Sequence, residues 1–91
     1  MGIRIAVLAS GRGSNLQAVL DAIARGRLEA EVVGVFSDRP GAPALARVAP
    51  ALRWASQPRR HPGKAAFEAA LGDALQAVRP DWIVCAGYMR I

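Results

Sequence analysis

The chain has 91 residues, a formal net charge of +5 and a hydrophobic fraction of 53%. This length suits one small domain with its own core. No apolar run approaches the roughly 20 residues of a membrane-spanning helix, and residues 1–5 lack the pattern of a signal peptide, so we expect a cytoplasmic protein. The basic residues are scattered, and their one local cluster, residues 59–61, is too short for a nucleic-acid-binding tract.

The first predicted strand, Ile3 to Ala9, runs straight into a glycine-rich turn and then a helix. Because Gly11 and Gly13 lack a Cβ, the chain can turn tightly there. Backbone amides at a helix N-terminus then converge on an anion, and the helix dipole adds roughly half a positive charge. The sequence therefore predicts a phosphate site formed by Gly13, Ser14 and Asn15.

Two other interpretations of this turn stay open. One is a plain glycine turn in which Ser14 caps the helix and Gln17 completes a capping box. The other is a dinucleotide-binding domain, with Asp38 recognising the ribose hydroxyl or Arg39 recognising a 2′-phosphate. The dinucleotide pattern requires a third glycine where this chain has Leu16, so that fingerprint is incomplete.

Strands and helices alternate along the rest of the chain. The helices show apolar residues at spacings of three and four, and the strands are short apolar runs bounded by Gly, Pro or Asp. The predicted elements after the turn are a helix that stops at Gly26, a strand at Val32–Ser37, a short helix at Ala44–Val48, a short strand at Leu52–Ala55, a helix from about Lys64 with the apolar stripe Phe67, Leu71, Leu75 and Val78, and a strand at Trp82–Ala86.

This alternation predicts an α/β fold, an open parallel sheet with Rossmann-like strand order 3-2-1-4 and helices on both faces. The strand order reverses between the first and fourth strands. Ligands of open α/β sheets bind outside the carboxyl ends of the strands at such a reversal. We therefore expect Ser10–Asn15 and Gly87–Ile91 to face the same crevice.

The last strand is apolar throughout, which is typical of a strand that helices cover on both faces. Its Cys85 is the single cysteine of the chain, so an internal disulfide is excluded. We expect this cysteine to be a small buried hydrophobic residue. One histidine and one cysteine, far apart in sequence, also give no metal-ligand spacing.

Three segments together resemble the phosphoribosylglycinamide formyltransferase family of purine synthesis. They read S-G-R-G-S-N-L-Q at residues 10–17, V-F-S-D-R at residues 35–39 and R-P-D-W-I-V-C-A-G-Y-M-R-I at residues 79–91. The resemblance covers essentially the whole chain but only the N-terminal half of a family member. It implies that residues 1–91 are the nucleotide-binding half of a formyltransferase domain, ending after the fourth strand.

The resemblance also implies ligands. It assigns the phosphate of glycinamide ribonucleotide to Gly13, Ser14 and Asn15, and the crevice that the strand order predicts beside Gly87 becomes the substrate crevice. An isolated module that binds a phosphorylated metabolite without catalysis is the alternative that the residues leave open.

The family's co-substrate is 10-formyltetrahydrofolate. By resemblance, its contacts fall on Met89, Arg90 and Ile91, and on Lys64 at the start of a helix. We expect an arginine at that last position in the family, and lysine keeps the charge without the planar fork.

Catalysis in the family rests on Asn and His of an N-x-H-P motif and on a later Asp, all beyond the segment that matches here. His61 is no substitute, because Arg59 stands at the Asn position of that motif and the pair precedes the glycine-containing end. We therefore expect these 91 residues to bind without turnover. We also expect self-association through the fourth strand, Trp82–Ala86, at an open sheet edge.

Overall fold

The structure, a computed structural model, describes residues 2–57 and 62–85, which form a four-stranded parallel sheet with order β3-β2-β1-β4. This confirms the predicted fold class and strand order. The strands are β1 (Ile3–Leu8), β2 (Ala30–Ser37), β3 (Arg53–Ala55) and β4 (Trp82–Cys85), and the helices are α1 (Ser14–Ala24) and α2 (Lys64–Val78), with 3₁₀ helices at Pro43–Arg47 and Pro50–Leu52. Within these ranges no helix has the length and apolar character needed to cross a membrane.

The central strand β1 supplies both halves of the core. Side chains alternate between the two faces of a strand, so Ile5, Val7 and Ala9 join the cluster under α1, whereas Ala6 and Leu8 join the cluster under α2. These five residues are at most 8% exposed. The sheet is therefore covered on both faces at its centre, as predicted.

The first 3₁₀ helix, Pro43–Arg47, packs on the same face as α1. Its Ala44 and Leu45 are buried in the α1-side cluster. The sequence predicts a short helical stretch at about residues 44–48, and the structure has a helical segment there that consists of 3₁₀ turns. A five-residue segment between prolines is too short to establish α-helical hydrogen bonding, and 3₁₀ turns serve such short connections.

Arg4 joins the end of α2 to β1. Its Nη2 donates to the carbonyl of Val78 at 2.6 Å and its Nε to that of Arg79 at 3.1 Å. Arg79 adopts the left-handed conformation, with φ 48°, and ends the helix. The backbone amide of Arg4 donates to the Asp81 carboxylate at 2.8 Å, and the backbone amide of Asp81 donates to the Arg4 carbonyl at 2.7 Å. These contacts set β4 beside β1.

A row of aromatic rings determines where α2 lies. Phe36 of β2 and Trp54 of β3 have ring centroids 6.0 Å apart, and Trp54 and Phe67 of α2 are 6.3 Å apart, both in tilted arrangements. Phe67 is only 3% exposed. Because aromatic pairs of this geometry add to the free energy of burial, the N-terminal half of α2 is held over β2 and β3.

The prediction that helices cover both faces of the last strand is wrong for the described residues. Trp82 is 64% and Ile83 51% exposed, and Cys85 is exposed, so the prediction of a buried cysteine is also wrong. For Ile83 and Cys85, which pair with Ala6 and Leu8 on the α2 face, the physical reason is the placement of α2, whose apolar stripe packs against Leu8 and Phe36 and leaves β4 uncovered. Trp82 pairs with Ile5 and lies on the opposite face.

Leu16, fully buried beneath the start of α1, provides a test of this packing. Leu16→Ala should lower the free energy of unfolding by about 2–5 kcal/mol, because it removes apolar contacts and leaves a cavity. Urea unfolding followed by circular dichroism measures the change. Leu28→Ala, at a half-buried position of the same cluster, is the matched control and should cost less. Equal losses in the two variants would contradict the placement of Leu16.

Candidate functional site

The segment between β1 and α1, here called the glycine loop (residues 10–13), starts from a buried polar contact. Ser10 Oγ donates to Asp38 Oδ1 at 2.8 Å, and the two residues are 3% and 8% exposed. The bond joins the carboxyl ends of β1 and β2. Because Asp38 is buried and hydrogen-bonded, it is poorly placed to bind a ribose hydroxyl. Leu16 also occupies the position where the dinucleotide pattern requires a glycine. The structure therefore does not favour the dinucleotide interpretation.

Gly13 is the residue on which the loop geometry depends. It is buried in the left-handed region, with φ 79° and ψ 26°, and it stands at the N-cap position of α1. A Cβ built on it would lie 2.7 Å from Cβ of Ala44. Both the backbone conformation and the space therefore require glycine.

The capping-box interpretation of this turn is wrong. Helix α1 begins at Ser14 itself, so that serine is already helical, and no side chain of the described residues caps the first turn. The first helical bond runs from the amide of Gln17 to the carbonyl of Gly13 at 2.8 Å. Since the first amides of a helix lack intrahelical acceptors, the exposed Ser14 and Asn15 present theirs at the carboxyl edge of the sheet.

The first 3₁₀ helix supports the loop from the side. The amide of Ala44 donates to the carbonyl of Gly11 at 3.1 Å, and Nε of Arg47 donates to the carbonyl of Arg12 at 2.8 Å. Nη1 of Arg47 also donates to Oε1 of Gln17 at 3.0 Å. Sequence reasoning missed this support, because a contact across 35 residues leaves no local pattern.

Lys64 lies at the first position of α2. This helix runs back antiparallel to the strands, so its N-terminus is at the same edge of the sheet as the glycine loop. The lysine side chain is 79% exposed and its Nζ lies 3.7 Å from Oε1 of Glu68, one turn along. The other predicted site residues, Gly87, Met89, Arg90 and Ile91, lie outside the described residues, as do Arg59 and His61.

Metal binding has no support among residues 2–57 and 62–85, where no three side chains of His, Cys, Asp or Glu come together as a ligand set. What the described residues do bring together is a set of helix-start amides, a left-handed glycine and basic side chains at one sheet edge. A parallel sheet of order 3-2-1-4 with such a loop after its central strand defines a Rossmann-like α/β domain.

Comparison with known proteins identifies the family. The sequence profile of the formyl transferase family matches residues 3–91, and the chain belongs to that family.

Several relatives are similar over almost the whole of this chain. The phosphoribosylglycinamide formyltransferase of Haemophilus influenzae is 39% identical over 90 residues, which cover 97% of this chain and 42% of that protein. That of Mycobacterium tuberculosis H37Rv is 42% identical over 89 residues, covering 97% and 41%. The crystal structure of glycinamide ribonucleotide transformylase 1 from Symbiobacterium toebii superposes with a TM-score of 0.91 at 44% identity, covering 99% of this chain and 43% of that one. The chain thus spans somewhat under half the length of these relatives.

The two glycines of the loop should differ in their tolerance of alanine. Gly13→Ala forces a Cβ into a left-handed, crowded position and should cost about 1–3 kcal/mol of unfolding free energy. Gly11→Ala is the matched control, because a Cβ there meets nothing within 4 Å, and its effect should stay within about 0.5 kcal/mol. Chemical denaturation compares the two, and indistinguishable midpoints would contradict the loop geometry.

Proposed function

We propose that this chain is the substrate-binding part of an enzyme that transfers a formyl group from 10-formyltetrahydrofolate to glycinamide ribonucleotide in purine biosynthesis. Membership of the formyl transferase family supports the proposal, as does the identity of 39–44% with relatives named for this activity. The observation that carries it is the start of α1, a left-handed Gly13 followed by amides that no side chain among residues 2–57 and 62–85 caps.

The substrate phosphate is the group that this helix start suits. The amides of Gly13, Ser14 and Asn15 donate to the phosphate oxygens in this proposal, in the field of the α1 dipole. The net charge of +5 also favours a dianionic ligand over a neutral one. A phosphate anchored here directs the rest of the substrate along the carboxyl edge, toward the reversal between β1 and β4 and the Gly87 that follows β4.

The folate co-substrate is assigned to Met89, Arg90, Ile91 and Lys64. Of these, Lys64 lies in the described part, and its position fits an acidic ligand. The Lys64–Glu68 pair is long and exposed, so it holds the ammonium only weakly against a competing carboxylate. The tail of a folate supplies such a carboxylate.

Formyl transfer joins the substrate amine to the formyl carbon and breaks the bond from that carbon to N10 of tetrahydrofolate. The proton that leaves the amine ends on N10. In this proposal the 91 residues hold the phosphate and orient the amine, and the proton transfer falls to the Asn, His and Asp that the family resemblance places after the matched segment.

The phosphate assignment predicts discrimination between two ligands. Glycinamide ribonucleotide should bind the chain at least roughly tenfold more tightly than its dephosphorylated riboside, because only the former offers charge-assisted bonds to the loop amides. Isothermal titration calorimetry measures both affinities. Gly13→Val should abolish the preference and Gly11→Ala should keep it, provided that circular dichroism shows both variants folded. Equal affinity of the unmodified chain for the two ligands would remove the phosphate site.

We also propose that the 91-residue chain self-associates through β4. This strand is an edge of the described sheet, and its exposed Trp82 and Ile83 add apolar surface to unpaired backbone groups.

Light scattering at about 50 µM should show a dimer, in the range of ordinary interface affinities. Ile83→Lys should shift it to monomer, because a charge then lies in the apolar contact. Gln76→Lys adds the same charge on the exposed side of α2 and should leave the dimer intact. A monomeric unmodified chain would overturn this proposal.

A further inference from the structure

We infer that Arg47 is a positioning residue for the phosphate site, acting on the backbone of the glycine loop. This role rests on the phosphate site proposed above. Arg47 lies on the first 3₁₀ helix, outside the loop, and its contacts run to the loop carbonyl of Arg12 and to the side chain of Gln17.

Two successive carbonyls of the loop point at the 3₁₀ helix. The carbonyl of Gly11 accepts from the amide of Ala44, and the carbonyl of Arg12 accepts from the guanidinium of Arg47. In a planar trans peptide the C=O and the following N–H point in opposite directions. Anchoring the Arg12 carbonyl on Arg47 therefore directs the amide of Gly13 away from the 3₁₀ helix.

The guanidinium also ties the loop to the first turn of α1. Its Nε lies so close to Gly13 that a Cβ built there would be 3.1 Å away. Its Nη1 reaches Oε1 of Gln17, whose Nε2 in turn donates to Asp21 at 2.9 Å. Because that second bond orients the Gln17 amide, its oxygen is held toward Arg47. One planar side chain thus fixes the peptide before Gly13 relative to the helix after it.

A lysine substitution can distinguish a positioning role of Arg47 from a purely electrostatic one. A lysine at residue 47 keeps the positive charge but is a compact ammonium, which cannot reproduce a planar fork with one arm on Arg12 and one on Gln17. If the residue orients the loop, lysine should fail to replace it. If the residue serves only to attract an anion, lysine should replace it fully.

The experiment compares Arg47→Gln and Arg47→Lys with the unmodified 91-residue chain. Calorimetry with glycinamide ribonucleotide should give roughly tenfold weaker binding for the Gln variant, with the Lys variant closer to it than to the unmodified chain. The dephosphorylated riboside should bind all three equally. In ¹⁵N–¹H spectra, the shift of the Gly13 amide on saturation with the ribonucleotide should shrink in both variants.

Arg53→Gln is the matched control. Arg53 also donates through its guanidinium to a backbone carbonyl, that of Val48, at 3.0 and 2.9 Å, but none of these contacts touches the glycine loop. It should bind the ribonucleotide like the unmodified chain. If Arg47→Gln does not fold, Gln17→Ala removes the second anchor of the guanidinium and should weaken binding roughly threefold with a smaller Gly13 shift.

The outcomes separate the two proposals. Full rescue by lysine, unchanged binding in Arg47→Gln, or an unfolded Arg47→Gln together with unchanged binding in Gln17→Ala would overturn the positioning role and leave the phosphate site standing. Equal affinity of the unmodified chain for phosphorylated and dephosphorylated ligands would overturn the phosphate site itself, and the role of Arg47 with it.

Discussion

Strand β1 is the constraint on which the other elements depend. It is hydrogen-bonded to β2 on one side and β4 on the other, and Ile5 to Leu8, together with Ala9 directly after the strand, are buried under helices on both faces. A strand held in this way cannot tilt or slide without disrupting both core clusters. The position and direction in which the chain enters the glycine loop at Ser10 are therefore fixed by β1.

The loop is then held from several sides at once. Ser10 and Asp38 fix its base, the first 3₁₀ helix takes the carbonyls of Gly11 and Arg12, and the amide of Gln17 takes that of Gly13. All of these contacts use loop carbonyls or side chains, so none of them occupies the amides of Gly13, Ser14 and Asn15 that are proposed to bind the phosphate. In the proposed phosphate site, a loop that is organised before its ligand arrives would lose less conformational entropy on binding.

The sequence alone predicts the parts of this fold that depend on local signals. The alternation of apolar strands and helical stripes predicts the strand order, and the two glycines predict the turn after β1. The cap of α1 could not be predicted in this way, because S-x-x-Q fits a capping box and also fits a helix whose first residue is Ser14. The left-handed Gly13 decides between them, and the residue that leaves no room for a Cβ there is Ala44, which is distant in sequence. The contacts of Arg47 could not be predicted either, because they also join residues that are distant in sequence.

Strand β4 shows a different limit of sequence reasoning. Its apolar residues indicate that burial is favourable there, and they do not indicate which element supplies the cover. Helix α2 packs over β2 and β3, where Phe67 contacts Trp54, so Ile83 and Cys85 on the α2 face of β4 stay exposed within the described residues. Covering a large apolar side chain gains about 1.5–3 kcal/mol. The open face of β4 is therefore where an additional layer would add most to the stability of this domain, next to the strand reversal where the substrate crevice is proposed.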